Sequence, residues 1–513
     1  MGKSKKINIQ ILEANNKTIH IEGSEKEPFF IKNEKDEIFT PGSLSYGYAA
    51  DLPIYTGARY GFYCKDNDKT IKMRPSYGKF SPLTGLKNSF FCSEGFIIKS
   101  VSNEIRVYAD SFKTRWASQR RLNKELQEKG PSDVLAIRKE AKKLQNSGKP
   151  IWILSDRTDK AGDNGEALFK YLMSSDAKDK YDMYFLIEES SSDYIRMQQY
   201  GKVIPFGSRE HQVKELAAEM VISSSGEDWV FNPFKKDYKY FRDLRKSKFV
   251  FLQHGVIKDD LSGWLNKLNK NMAIFVTSVK DEYDSICNTN YGYGPDVVKM
   301  TGLPRYDKLH NERKKIIAFC PSWRKSIAAN LIPGTSDREY LPEFKESDYF
   351  KFYNALINDE RLLAAMRKKG YTGVFYLHPN HIRQAVDFKE NDVISVWNGI
   401  ANYSKIFNES ALLTTDFSSV AIDFAYLKKP VIYTQFDRDS FYETHSYVEG
   451  YYDYERDGFG PVCYDLDSSV STIIQAIEAD CKTEKKYEER IDRFFAYNDQ
   501  NNCERVYQEI LKL

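Results

Sequence analysis

The chain has no cysteine pair at a spacing that could hold zinc or frame a disulfide scaffold: its seven cysteines stand singly at 64, 92, 287, 320, 463, 481 and 503. A reducing cytoplasm is the compartment this usage implies. No stretch approaches about eighteen uninterrupted apolar residues, and the start, MGKSKKINIQ, carries charge but no apolar core of signal-peptide length. The reading is a protein neither secreted by the ordinary route nor membrane-spanning. Gly2 does not make a myristoylation signal, because Lys6 stands where Ser or Thr is needed. Net charge is nearly absent too: 76 basic against 73 acidic residues leave +3, which argues against a nucleic-acid partner and confines any basic surface to one region. Missing as well are GxxxxGK[ST], GxGxxG at a strand-to-helix junction, HExxH and GxSxG. Asp437-Arg438-Asp439 has a DxD look, but three residues are a weak signal and no metal is assigned.

What is present is a chain of 513 residues, 41 % hydrophobic, enough for roughly two to four domains with full cores. From about 5 to 112, short alternating aromatic and β-branched runs such as INIQILEANNKTIHIEG are separated by polar turns such as Asp66-Asn67-Asp68. They predict a small all-β module over 1–112, a sandwich or a comparable fold. Residues 113–149 are helix-prone and basic, with eleven Lys or Arg against four Asp or Glu. This segment reads either as a solvated helical linker broken near Gly130-Pro131 or as a contact for an anionic membrane surface. After 150, strand candidates alternate with helical segments: IWILS, YFLI, VISS, KFVFLQ, AIFVTS and VVKMTG, then KIIAFCP, GVFYLHP, DVISVW, ALLTTD and PVIYT. Two such series predict two doubly wound α/β domains facing each other across a cleft, over 150–312 and 313–513, the second closing with a helix near 485–512. The coil-like stretch 326–348 is long enough to be an active-site loop.

Ligands of doubly wound sheets gather at the carboxyl ends of the strands, so polar residues there are the candidates. Of only seven histidines, two follow strands directly, His254 before Gly255 and His378 before Pro379, one in each α/β domain. An imidazole so placed can accept a hydroxyl proton or offset charge on a phosphate oxygen. Gly255 lets substrate approach the backbone, and Pro379 fixes the turn. TTDFSSVAIDFAYLKK puts Asp416 at a strand end and Ser418 and Ser419 where a helix begins. The serines read as caps, or as small residues that leave the helix N-terminus open to a phosphate. SDRTDKAGDNGEALF sets Asp163 and Asn164 ahead of another helix, as caps or as a grip on a polyol hydroxyl. GLPRYDKL and CPSWRKS place Arg305 and Arg324, the latter with Ser322 beside it, after strands, for phosphate contact or for interdomain ion pairing.

In their order along roughly 150–465, SDRTDKAGDNGEALFKYL, FLQHGVIKDDLSGWLN, GLPRYDKL, CPSWRKS, LHPN, TTDFSSVAIDFAYLKKPVIY and GYYDYERDGFGPV resemble the motifs of the CDP-glycerol:poly(glycerophosphate) glycerophosphotransferase family. These are the polymerases and primases of bacterial teichoic acids and related capsular polymers. The resemblance implies an α/β fold, a GT-B-like pair of Rossmann-like domains behind the all-β module and the basic helical linker. It implies CDP-glycerol or CDP-ribitol as donor, no further cofactor or metal, and a lipid-linked polyol-phosphate acceptor met at the cytoplasmic face of the membrane. On that resemblance His254 is the general base on the acceptor hydroxyl and His378 stabilises the phosphoryl group in flight. Asp163, Asn164, Gly255, Arg305, Ser322, Arg324, Pro379, Asp416, Ser418 and Ser419 make up the substrate-binding set, the two serines starting the helix that holds the donor pyrophosphate. This chain reads His254-Gly255-Val256 where many members read HGT, so a threonine hydroxyl is missing beside the base. Two other functions share these features: a GT-B glycosyltransferase using a sugar nucleotide, and a noncatalytic polymer-binding protein in which the β module and basic segment do the binding.

Overall fold

The computed structural model describes residues 5–513 apart from 26, 147, 333–337, 400–401 and 445–447, so the middle of the 326–348 stretch lies outside the described residues. Between Lys6 and Ala109 the alternation of apolar and polar residues folds into two sheets, of five and seven strands. Ile7, Ile9, Ile19 and Ile21 from one sheet and Ile31, Tyr60, Phe62, Ile98 and Ile105 from the other bury in one apolar cluster.

The basic segment forms α1 (Phe112–Lys129), capped by the Ser111 side chain on the Thr114 N–H, and α2 (Val134–Gln145). It is not a solvated linker. Leu122, Leu126, Val134, Ile137 and Ala141 recur at helical spacing and join Phe90 and Ile97 of the β module and Val213, Leu216 and Phe241 of the next domain in one buried cluster. Arg138 is buried with them and pairs with Asp243 at 2.6 Å. The two helices therefore bracket the β module to the first α/β domain, with most of their lysines and arginines on the outer face.

That domain is a parallel sheet of β1 (Ile151–Ser155), β2 (Asp182–Ile187), β3 (Lys202–Pro205), β4 (Met220–Ser223), β5 (Lys248–Phe251), β6 (Ile274–Thr277) and β7 (Val298–Met300), in the order β3-β2-β1-β4-β5-β6-β7. Helices α3 (Asn164–Ser174) and α4 (Lys280–Asn288) follow β1 and β6. The second domain orders β8 (Ile316–Phe319), β9 (Thr372–Tyr376), β10 (Ile394–Trp397), β11 (Leu412–Thr415), β12 (Val431–Thr434) and β13 (Val462–Cys463) as β10-β9-β8-β11-β12-β13, again parallel, with α5 (Val420–Ala425) after β11. Helices cover both faces, which is why these strands read as continuous apolar runs. In each sheet the order reverses beside its first strand, between β1 and β4 and between β8 and β11, and a crevice opens there at the carboxyl ends. Register levels those ends: Ser155 pairs with Ser223, Ser223 with Phe251, and Phe319 with Thr414. The predicted strands are present with only their ends shifted, while β3 and β13 were too short to show a period.

The last helix, α6 (Asn502–Ile510), corrects an expectation. Although it follows the second domain in sequence, it packs on the first, where Asp307 accepts from the N–H groups of Asn502 and Cys503, each at 2.8 Å, and Tyr171 of α3 hydrogen-bonds Glu504. The chain thus crosses back and ties the two domains together.

Candidate functional site

At the end of β1, Asp156 is 2 % exposed and accepts from the N–H groups of Asp163 at 3.0 Å, Gly165 at 2.7 Å and Glu166 at 3.2 Å, and from the Ser224 hydroxyl. A side chain on Gly165 would collide with this carboxylate, since its Cβ would lie 2.6 Å from Oδ1. The N-terminus of α3 is thus filled by a protein anion. Burial pushes the Asp156 carboxyl up to about 6, and neighbouring Asp163 adds to the rise.

Asp163 and Asn164 are both engaged within the protein. Asp163 accepts from the first N–H of α3, at 2.8 Å, and from Arg305 Nη1, at 2.5 Å. Asn164 is fully buried; its Nδ2 donates to the Gln253 carbonyl at 2.8 Å, and its Oδ1 accepts the Arg305 N–H at 2.9 Å. A polyol cannot reach it. What it does is fasten the loop that carries His254 to the loop that carries Arg305.

Arg305 in turn crosses to the second domain, where Nη2 meets Asp423 of α5 at 2.6 Å, while the Tyr306 hydroxyl donates to the other oxygen of that carboxylate at 2.6 Å. Burial works against the Arg305 charge, but Asp423 and Asp163 more than restore it, and the guanidinium stays ionised. Arg305 is an interdomain clamp whose fork is already occupied, not an open phosphate ligand.

His254 stands on the turn after β5 with its side chain open to the cleft. Desolvation on this turn lowers its pKa below the ordinary histidine value; Asp163 opposes this, and Arg157 and Arg305 push the same way. A Cβ on Gly255 would sit 3.3 Å from the Ser419 hydroxyl of the second domain and 3.8 Å from Arg305 Nη2. The bare backbone is what lets the two domains approach here. Val256 is 2 % exposed within the apolar cluster that runs between the domains, so the hydroxyl missing from HGV does not face the cleft.

In the second domain Asp416 is fully buried at the end of β11 and, unlike Asp156, fills no helix start. Its Oδ1 accepts from the Ser322 N–H at 2.8 Å, the Ser322 hydroxyl at 2.6 Å and the Phe417 N–H at 2.6 Å, and its Oδ2 meets Arg324 at 2.8 Å. Arg324, 4 % exposed, also binds Asp437 through Nε at 2.6 Å and Nη2 at 3.0 Å. Ser322, Arg324 and Asp416 therefore form a buried brace across the crevice between β8 and β11. Asp437, half of the DxD triplet, is consumed by it.

The Arg324 N–H donates to His381 Nε2 at 3.1 Å, and burial lowers the pKa of His381 to about 3, so that ring stays a neutral acceptor. His378, after β9, accepts the Asn380 N–H on Nδ1 at 3.1 Å, which leaves Nε2 as the nitrogen that carries a proton in the neutral ring. The Trp323 ring stacks on His378 at 6.1 Å, and the Arg338 guanidinium lies 5.5 Å from the centre of the Trp323 ring. Pro379 is exposed and opens a short 3-10 turn. Ser418 reaches the Val420 N–H only at 3.4 Å, and Ser419 makes no capping bond with its side chain. Both serines are half-exposed, so the first turn of α5 is open where that of α3 is filled.

The structure thus brings the His254-Gly255 turn and the Ser418-Ser419 turn together across the cleft, with His378 at the end of β9, separated from β11 by β8 in the second sheet. It moves Asp163, Asn164, Arg305, Ser322, Arg324 and Asp416 into the supporting framework. Sequence reading missed Asp156 and Asp423. Asp156 directly follows a strand, the same criterion that singled out His254, but Asp423 lies inside a helix and carries no local signal. Also missed was Arg157, an exposed cation close enough to influence both His254 and, from the other domain, Tyr403.

Residues 137–512 match the model of the family described as CDP-Glycerol:Poly(glycerophosphate) glycerophosphotransferase. Over 99% of its length the chain is 37% identical to the minor teichoic acid biosynthesis protein GgaB of Bacillus subtilis (strain 168), and it spans only 60% of that relative. It is 23% identical to the teichoic acid glycerol-phosphate transferase of Staphylococcus aureus (strain NCTC 8325 / PS 47), over 68% of this chain and 90% of that one. Among solved structures, that of the wall teichoic acid polymerase TagF shares the fold, with a TM-score of 0.51 and 15% identity, covering 79% of this chain and 98% of that chain.

Proposed function

Because the chain belongs to the CDP-glycerol:poly(glycerophosphate) glycerophosphotransferase family, we propose that it transfers glycerol- or ribitol-phosphate from a CDP-alditol to the terminal hydroxyl of a lipid-linked teichoic acid or capsular polymer, releasing CMP. The observation that carries this reading is the approach of the His254-Gly255 turn to Ser419, 3.3 Å from a Gly255 Cβ, which sets an imidazole of one domain against an open helix start of the other.

His254, kept neutral by its lowered pKa, takes the proton of the acceptor hydroxyl. The acceptor oxygen bonds to the phosphorus that bears the alditol as the bond from that phosphorus to the bridging oxygen of CMP breaks. The first N–H groups of α5, with the hydroxyls of Ser418 and Ser419, receive the donor pyrophosphate, and His378 meets charge on the moving phosphoryl group. Arg305 and Arg324 act through the carboxylates they hold in place. The reaction calls on no cofactor beyond the donor. The acceptor is met at the anionic inner face of the membrane, to which α1 offers Phe112 and Trp116, 86% and 56% exposed and one turn apart, among Lys113, Arg115, Arg120, Arg121 and Lys124.

The test is CMP release by purified protein given a lipid-linked glycerol-phosphate primer with CDP-glycerol, CDP-ribitol or a UDP-sugar. Release from one CDP-alditol, reduced about a hundredfold or more by His254→Ala, is expected. Turnover of a UDP-sugar with neither CDP-alditol consumed would replace the reading with that of a glycosyltransferase.

A further inference from the structure

Gln253, the residue before His254, holds φ at +62°, in the left-handed region that glutamine seldom adopts. Such a backbone persists only where its surroundings over-determine it. The Gln253 side chain is 1 % exposed, and its Nε2 donates to the Val276 carbonyl and, at 3.0 Å, to Glu282 Oε1. Its carbonyl accepts from Asn164.

Glu282 lies in the first turn of α4 and is fully buried. Its Oε1 also accepts the Ile257 N–H at 2.6 Å, and its Oε2 accepts the Ser278 N–H at 2.8 Å. A glutamate that merely caps its helix reaches back to the chain just ahead of that helix, as Oε2 does here. The other oxygen is committed elsewhere, to the residue before His254 and to the one three after it. The donors around this carboxyl are N–H groups, so a group that only accepts satisfies them, whereas an amide would turn its NH2 against them. Burial raises the carboxyl to about 7 against those same hydrogen bonds, and among the described residues no lysine or arginine pairs with it.

We propose that Glu282 is a positioning residue for the transfer reaction: it grips the His254-Gly255 turn at both ends and so sets where the imidazole meets the acceptor hydroxyl. This rests on the reading of His254 as the base. Glu282 does not touch substrate, and the donor is held by the second domain, so its removal slows the chemical step and leaves donor binding as it was.

The experiment compares Glu282→Gln, Gln253→Leu and His254→Ala in CMP release and in the thermal shift produced by whichever CDP-alditol supports turnover. Gln253→Leu cuts the grip at the end of the turn that precedes His254 but keeps the Glu282 bonds to Ile257 and Ser278, so it separates positioning from the folding of α4. The expected result is a kcat reduced about ten- to a hundredfold in both Glu282→Gln and Gln253→Leu, with the donor KM within about threefold of wild type and the donor-induced shift intact. Wild-type kcat in both, or a kcat loss that comes only with loss of the donor-induced shift, overturns the proposal. If His254→Ala turns over like wild type, the base assignment fails and takes this inference with it. If His254→Ala is inactive while the other two behave as wild type, only the role of Glu282 falls.

Discussion

Three of the histidines near the cleft do different work because their surroundings differ. His381 is buried and kept neutral as an acceptor for the Arg324 N–H, and His378 caps a turn through Nδ1. His254 is exposed on its turn, beside Gly255, where the backbone approaches Ser419 of the second domain. A base works only when unprotonated, so activity is lost as pH falls through its pKa. Dehydration and the cations Arg157 and Arg305 lower that pKa, against Asp163. The acid limb of kcat/KM is therefore expected below the ordinary histidine value of about 6.5. Asp163→Asn removes the opposing charge and takes one of the two carboxylates that offset the Arg305 charge, and both effects move the limb to still lower pH. A pH profile of CMP release checks this; a limb above neutrality, or one that Asp163→Asn moves upward, would contradict it.

At the scale of elements, α1 has two faces with separate tasks. Leu122 and Leu126 lie in the cluster that joins the β module to the first α/β domain, so deleting the segment would unfold that junction. Phe112 and Trp116 are exposed and sit among lysines and arginines. Replacing both by serine is expected to cut sedimentation with anionic phospholipid vesicles several-fold while leaving the melting temperature within a few degrees. Wild-type binding is expected to weaken as salt screens the charges. Equal sedimentation of the variant and the wild type would place the membrane contact elsewhere.

At the scale of the whole molecule, the cleft is held by a partly buried clamp and by a chain that crosses back. Arg305 bridges Asp163 and Asp423 with side chains 18%, 24% and 6% exposed, and α6 docks on Asp307 of the first domain after the second is complete. Leaving a buried donor without its acceptor costs about 1–3 kcal/mol. Asp423→Ala is accordingly expected to lower unfolding stability by about that amount in urea denaturation, because it leaves the buried Tyr306 hydroxyl without its acceptor and Arg305 with Asp163 alone. A loss below about 1 kcal/mol would mean that the apolar cluster between the domains, not the clamp, sets their docking.

Two βα series, a β module ahead of them and histidines at two strand ends were all legible in the sequence by itself, because periodicity and strand-end chemistry are local and need only neighbouring residues. Even there KVIP, four residues at the edge of a sheet, left too little pattern to read. Which polar residues meet a ligand and which meet each other was decided only by the tertiary structure. Arg324 finds Asp437 across 113 residues of chain and Arg305 finds Asp423 across 118, and no local pattern can record a charge supplied from so far away. The same holds for the open cleft: Gly255 and Ser419 belong to different domains, and their closeness exists only once both sheets have folded and docked.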